Sequence, residues 1–402
     1  MNLKDKLFSW SDCSALRKNE TIFFIWVITA ILYAFIKFFM GKYNNYKIFK
    51  GVFGHTIDNM PLYAHYPGEY CDNNHYGILF SAVIAPFAVF PDFLGVAFWV
   101  VANTVLLFYA IGMLPLRYKQ KLLIYWFSLC ELMTAQAMQQ FNISIVAIII
   151  LSFVFIEKKR DFWAAFFIVA GTLIKIYPIA GLAFFFFSEQ KAKLIASLVF
   201  WTIVLFLLPV VYTSGLDYVV SQYSAWFAEL GSKYDQNMFS PSQNVSLLGI
   251  IRKISGDATY SDMWIILPGL LLFSLPYFRT DQYKCLSFRM MLLANILLFI
   301  VLFSTGSEAS GYIIAMTGVS IWYICTPSKN KEYKKWLLLT TLIIVAVSST
   351  ELVPSFIRDN FLRAYAVKAW PCVLVWLTIC YEMIFLNFDK KTQKELLLRR
   401  VR

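Results

Sequence analysis

The chain has 402 residues, of which 59% are hydrophobic, 18% aromatic and only 15% charged, with a mean hydropathy of +0.62. Soluble domains carry about 45–50% apolar and about 25% charged residues, so this composition excludes an ordinary soluble protein. The net charge of +12 comes mainly from loops and tails beside apolar runs, which indicates the positive-inside bias of a membrane protein and argues against nucleic-acid binding.

Apolar runs recur along the whole chain, and several approach the roughly 20 residues needed to cross a bilayer. Because the hydrocarbon offers no water to satisfy backbone groups, these runs predict helices and an all-α, polytopic membrane protein. In chain order the complete, shorter and interrupted runs are 21–40, 76–90, 93–116, 122–138, 143–156, 162–187, 194–212, 263–275, 290–303, 312–325, 336–348 and 371–386.

The basic clusters predict about 12 transmembrane helices when each cluster is placed in the cytoplasm. The 15-residue run 76–90 is interpreted as too short to cross, and Pro178 is predicted to split 162–187 into two crossings. Residues 1–20 and the basic 389–402 then become cytoplasmic tails around a single integral-membrane domain, 21–388. Its predicted outer loops are 41–75, 213–262, 304–310 and 349–370.

Most polar clusters fall in these predicted outer loops rather than within the runs. A channel or transporter would place polar residues near the middle of the membrane. A polar face at one membrane surface instead favours an enzyme that works where a lipid head group meets water. The chain lacks the Walker A, GxGxxG, HExxH and serine-hydrolase motifs.

The first predicted outer loop contains the carboxylates Asp58 and Asp72 and all three histidines of the chain. Carboxylates and histidines are the usual general bases near neutral pH. Asp72 is the preferred candidate because it lies close to His75 and to the next apolar run; Asp58 is the alternative.

Three cations stand at unusual places for a membrane protein. Lys175 interrupts an apolar run, Arg252 lies in a predicted outer loop against the charge bias, and Lys368 opens the last run from outside. Such a cation must extend to the membrane–water interface, form an ion pair within the protein or bind an anionic ligand. Each is therefore a candidate phosphate ligand, with an ordinary boundary charge as the alternative.

The order of several motifs resembles glycosyltransferase family 87. The first run is followed by a polar loop with Leu-Tyr and Tyr-Pro elements, and late in the chain Glu308 precedes Tyr312. The intervening matches are the run 76–91, Phe98-Trp99 with Asn103, Gln140-Phe141-Asn142, Lys175-Ile176-Tyr177-Pro178 and Gln243-Asn244-Val245-Ser246.

The resemblance implies a GT-C-type architecture with an outer-face loop after the first helix. It also implies inverting transfer of a hexose, with mannose favoured, from a polyprenyl-phosphate carrier to a lipid or glycan acceptor at the outer membrane face. An acidic residue just after the first span would act on the acceptor hydroxyl, but this sequence has Asn44 and Asn45 there. Asp72 or Asp58, with His75, would then supply the carboxylate.

The remaining site residues also follow from the resemblance. Lys175, Lys368 and Arg252 would hold the donor phosphate. One loop acid and a histidine do not define a metal site, so no cofactor is predicted and a role for a divalent metal stays open. The residues that would bind acceptor or sugar are Asn44, Asn45, Tyr76, Asn142, Gln243, Asn244, Glu308 and Tyr312.

Two alternatives remain at this level. A transporter or flippase of lipid-linked sugar would use the same substrates without transfer, and a catalytically altered relative would explain the two asparagines. The chain shows neither a cleavable signal peptide before its first run nor a soluble appendage, which predicts a multi-pass protein of the bacterial inner membrane with its active face toward the periplasm.

Overall fold

The structure, a computed structural model, describes residues 18–240, 242–348 and 353–388. Throughout this part of the chain the regular structure is helical. We number the α-helices of four or more residues in chain order: α1 Asn19–Phe39, α2 Asn44–Ile57, α3 Phe80–Ala88, α4 Asp92–Met113, α5 Tyr118–Ala137, α6 Asn142–Glu157, α7 Asp161–Ile174, α8 Lys191–Leu207, α9 Leu216–Asn237, α10 Leu247–Ser255, α11 Met263–Ser274, α12 Leu286–Leu302, α13 Tyr312–Cys325, α14 Lys331–Val347 and α15 Trp370–Phe385.

Four helical segments of the described residues are long and apolar enough to cross a membrane: Asn19–Phe39, Asp92–Met113, Lys191–Tyr212 and Val367–Phe385. Six shorter apolar segments accompany them, from Asn142–Glu157 to Ala309–Cys325. These features confirm an all-helical membrane protein. The count of about 12 crossings and the assignment of sides stay predictions.

The break predicted around Lys175 is confirmed. Helix α7 ends at Ile174, Lys175 is extended, and a 3-10 helix runs over Tyr177–Phe187 with Pro178 in its first turn. Helix α3 has only nine residues, about 14 Å at 1.5 Å per residue, and is too short to cross the roughly 30 Å hydrocarbon core.

The predicted outer loops contain helices that a search for long apolar runs misses. Residues 41–75 include α2, residues 213–262 include α9 and α10, and residues 349–370 include a short helical segment at 355–363. Helices α2 and α9 contain both charged and aromatic residues. Each buries only one side, because it packs on the surface of the bundle rather than in its interior.

The centre of the bundle consists of α6, α12 and α13, in which nearly every side chain is buried. A helix whose side chains are buried all round is enclosed by other helices. Helix α1 instead buries a single stripe, Ile22, Trp26, Ala30 and Ala34, at four-residue spacing. Its other faces expose large apolar side chains, as expected of a helix at the lipid boundary.

Helices α6 and α12 run antiparallel, which defines two ends of the bundle. At one end, Arg289 near the start of α12 makes a two-pronged ion pair with Glu157 at the end of α6, with N–O distances of 2.6 and 2.7 Å. At the other end, Asn142 at the start of α6 donates to Ser310 Oγ, beyond the end of α12, over 3.1 Å. The polar segments singled out from the sequence gather at this second end.

Candidate functional site

A polar cavity of about 380 Å³ opens at the second end of the bundle. This size lies within the range of about 300–1,000 Å³ that is usual for small-molecule sites. Seven of the sequence-predicted site residues line it, namely Asn45, Asp72, His75, Tyr76, Lys175, Gln243 and Glu308. The segments that contribute them are separated by up to 263 positions along the chain (308 − 45), so only the fold brings them together.

Asp72 lies at the edge of this polar cavity with a left-handed backbone (φ 74°). Its Oδ1 accepts a hydrogen bond from the Asn73 amide over 2.9 Å and lies 3.7 Å from His75 Nε2, while Oδ2 lies 3.5 Å from Lys233 Nζ. The neighbouring His75 ring, followed by the Asn73 amide and Lys233, holds the pKa of Asp72 well below its usual range against the opposing effect of partial burial. The carboxylate is therefore ionised throughout the neutral range.

His75 joins Asp72 to helix α9. Its Nδ1 lies 3.1 Å from Glu229 Oε1, and its backbone carbonyl accepts from Trp226 Nε1 over 3.0 Å. The histidine ring thus sits between two carboxylates, those of Asp72 and Glu229.

Sequence reasoning missed Glu229 and Lys233 because it treated 213–262 as a loop. The two residues lie one turn apart on α9, at i and i+4, and face the same site. The acid-then-lysine spacing is a recognisable helical signal that could have found them.

Asn44 holds the loop that carries Asp72, whereas Asn45 bonds to the segment after α5. Asn44 Nδ2 donates to the Cys71 carbonyl over 2.6 Å, and the Cys71 amide donates back to Asn44 Oδ1 over 2.8 Å. Asn45 Nδ2 donates to the Met138 carbonyl over 2.8 Å. The two bonds of Asn44 therefore hold Cys71, the residue before Asp72, against the start of α2. The resemblance implies an acidic residue at this start of α2.

Lys175 extends into the polar cavity between two aromatic rings. Its Nζ lies 5.3 Å from the centre of the Tyr76 ring and 5.2 Å from that of Tyr177, and it donates to Asn142 Oδ1 over 3.0 Å. The rings are themselves fixed, Tyr76 by Gln140 over 3.2 Å and Tyr177 by Ser304 over 3.0 Å. A lysine ammonium has three donors, so this arrangement presents a held cation to an anionic ligand.

Glu308 lies in the same polar cavity as Lys175 and is half-buried. Its carboxylate has no hydrogen bond or ion pair with any of the residues the structure describes. Gln243 also lines this cavity, and its backbone carbonyl accepts from Lys253 Nζ over 3.1 Å. Carboxylate and amide groups of this kind are suited to hydrogen-bonding sugar hydroxyls.

Two predicted sugar-binding residues, Tyr312 and Asn244, support segments that line the polar cavity. Tyr312 is buried, and its hydroxyl donates to the Val245 carbonyl over 2.9 Å. The backbone amide of Asn244 donates to the Thr305 carbonyl over 3.0 Å. These bonds hold segment 243–246 against segment 304–308. A helix starts here, with Ser246 Oγ accepting from the Gly249 amide over 3.0 Å at the start of α10.

Seven of the predicted residues do not line the polar cavity, and for three of them, Asp58, Arg252 and Lys368, the structure shows another place. Asp58 caps the end of α2, about 20 Å along the helix from Asn45 at 1.5 Å per residue. Arg252 is 1% exposed and donates to Asp262 Oδ1 over 2.6 Å, and Lys368 is 3% exposed and donates to Glu131 Oε2 over 2.7 Å. Each of these two cations already has a buried counter-charge.

Comparison with known proteins adds one finding. The family model described as glycosyltransferase family 87 matches residues 74–305, more than half of the chain. The match starts two residues after Asp72 and includes Lys175 and Gln243. No curated protein and no solved structure matches the chain. Within the described ranges, no three His, Cys, Asp or Glu side chains come together as they would around a metal ion.

Proposed function

The chain belongs to glycosyltransferase family 87, and on that basis we propose that it transfers a hexose, with mannose favoured, from a polyprenyl-phosphate carrier to a hydroxyl of a lipid or glycan acceptor at the outer membrane face. The observation that supports this most is the polar cavity, which combines an ionised carboxylate, a histidine and a held lysine at one end of an apolar bundle. A polyprenyl-phosphate sugar has a polar head and an apolar chain, so its binding site must be polar and must lie next to the lipid bilayer.

Lys175 is proposed to bind the phosphate of the donor. A phosphate takes charge as the bond to the sugar breaks, and a fixed cation stabilises that charge most in the transition state. The Tyr76 and Tyr177 rings on either side of Lys175 Nζ keep the ammonium in place for this role. Lys368 and Arg252 are not included, because buried carboxylates already compensate their charges.

Asp72 is proposed to orient the acceptor hydroxyl and to take its proton. The acceptor oxygen would then attack the anomeric carbon opposite the phosphate, and the carbon–oxygen bond to phosphate would break with its electron pair leaving on the phosphate. This displacement inverts the anomeric centre. Glu229 and His75 would position Asp72, while Glu308, Gln243 and Asn45 would hydrogen-bond the sugar hydroxyls.

The outward orientation is proposed from the distribution of basic residues. The polar cavity lies where α6 and α13 begin and where α7 and α12 end. The clusters 117–121, 158–160 and 191–193 lie at the opposite ends of these or adjoining helices. The positive-inside rule puts those ends in the cytoplasm, which would leave the polar cavity facing the periplasm of a bacterial inner membrane.

The test is sugar transfer by the purified protein in detergent, from radiolabelled polyprenyl-phosphate mannose, with glucose and pentose carriers in parallel and a lipid extract as acceptor. We expect labelled product from the mannose carrier. No product from any of these carriers would argue against the proposed reaction. Movement of the carrier between vesicle leaflets without product would then indicate a flippase.

Lys175→Met is expected to lower kcat/KM for the donor by about 10²–10³-fold, because it removes a charged donor aimed at the leaving phosphate. Methionine keeps most of the apolar stem of the side chain, so folding should persist. Steady-state transfer at varied donor concentration measures the effect. Lys193→Met, an exposed lysine at the start of α8, is the matched control. Equal activity of the two variants would exclude the assigned role.

A further inference from the structure

A second cavity, of about 860 Å³, runs between α5, α13 and α14. We call it the apolar groove. Most of its wall is hydrocarbon, including Leu122, Trp126, Leu338, Leu342 and Val345. An apolar recess of this size on a membrane protein does not fill with water at low cost, since water would find few polar partners there.

One mouth of the apolar groove is basic and aromatic. Tyr118 and Lys119 stand at the start of α5, Tyr323 near the end of α13 and Lys335 near the start of α14. Tyrosines and lysines concentrate at the membrane–water interface, where lipid phosphates lie. The mouth therefore has the character of a head-group region, with two positive charges.

The depth of the apolar groove matches one leaflet. From Lys335 to Val345 along α14 there are ten residues, about 15 Å at 1.5 Å per residue, which is half of the roughly 30 Å hydrocarbon core. Beyond that depth the groove reaches Glu131, which is ion-paired with Lys368 at 2.7 Å. A hydrocarbon chain that enters at the mouth would thus extend to about the middle of the membrane.

The basic mouth lies at the opposite end of α5 from the polar cavity. Helix α5 starts at Tyr118 and ends at Ala137, and only its far end leads to Gln140, which lines the polar cavity. A phosphate bound at Lys119 and Lys335 therefore lies on the other membrane face from one bound at Lys175. The apolar groove is a separate site, not the place of the donor phosphate.

We propose that the apolar groove binds an anionic glycerophospholipid from the leaflet opposite the polar cavity, with its phosphate between Lys119 and Lys335 and one acyl chain along α14. The two lysines supply the charge complementarity, and the apolar wall supplies the chain site. A zwitterionic lipid fits the same wall but gains less from the lysines, because its own cation opposes them. The site selects lipids by charge.

The full-length protein in detergent, titrated with phosphatidylglycerol or phosphatidylcholine of the same chains, tests this by native mass spectrometry. The parent is expected to prefer phosphatidylglycerol. In the double variant Lys119→Ala/Lys335→Ala that preference should fall by about 25-fold, since each lysine near an anionic head group contributes about fivefold. Lys193→Ala, which removes a lysine outside the apolar groove, should leave the preference unchanged.

A second variant, Leu338→Trp, fills the apolar groove and should reduce retention of both lipids. Thermal unfolding and sugar transfer of each variant show whether it is folded. An unchanged lipid preference in the folded double variant would overturn the proposal. Displacement of the bound phosphatidylglycerol by one equivalent of polyprenyl phosphate would also overturn it, by assigning the apolar groove to the carrier. Failure of the transfer assay alone leaves this site unaffected.

Discussion

Asp72→Asn is expected to reduce sugar transfer by about 10²–10⁴-fold, the usual loss when a positioned general base is removed. Asparagine keeps the size of the side chain and one carbonyl oxygen, so it retains hydrogen bonding to the Asn73 amide but cannot accept the acceptor's proton. The loss should appear in kcat, with little change in the donor KM, because Lys175 and not Asp72 binds the phosphate.

Two neighbouring variants sharpen this expectation. Asp58→Asn removes the other candidate carboxylate, which lies at the far end of α2, and should leave transfer within about twofold of the parent, well below the effect of a catalytic base. Glu229→Gln should lower kcat less than Asp72→Asn does, since Glu229 acts through His75. Transfer that survives in Asp72→Asn and disappears in Asp58→Asn would move the base to Asp58.

The low pKa of Asp72 has a consequence for pH. A carboxyl group whose folded-state pKa is depressed is ionised at every pH above its usual value and is protonated only on acidification well below it. Asp72 should therefore remain competent as an acceptor of protons down to about pH 4, the ordinary range for an aspartate. A fall of transfer rate between about pH 7 and 5 in a rate profile would have to come from another group.

Lys368→Ala is expected to destabilise the protein by about 3–5 kcal/mol, because it leaves Glu131 charged and unpaired in the interior. The side chains of Lys368 and Glu131 are 4% and 2% exposed, and Lys368 also lies 4.9 Å from the centre of the Tyr312 ring and donates to the Ala309 carbonyl over 3.3 Å. The midpoint of thermal unfolding in detergent should fall accordingly.

The double variant Lys368→Met/Glu131→Leu separates stability from phosphate binding. Replacing both charges with apolar side chains of similar volume is often neutral or stabilising, so the double variant should unfold near the parent temperature and retain the parent donor KM. A higher donor KM in this stable variant would instead restore Lys368 as a phosphate ligand.

Several features of this protein are determined by local sequence. The density of apolar residues fixes an all-helical membrane protein, because backbone groups have no alternative partners in hydrocarbon. Pro178 fixes the end of α7 near Lys175, and Ser246 fixes the start of α10. The resemblance to glycosyltransferase family 87 is likewise confirmed from sequence alone.

The tertiary structure decided which of the candidate charges line the polar cavity. Lys175, Lys368 and Arg252 were equivalent candidates in the sequence, yet only Lys175 reaches the polar cavity. Lys368 meets a carboxylate 237 positions away, and local patterns carry no information about such a distant partner. Asp72 and Asp58 were distinguished in the same way, because Asn44 holds the Asp72 loop at one end of α2 while Asp58 caps the other. The chain's composition thus selects the class of protein, and long-range packing selects the residues of its site.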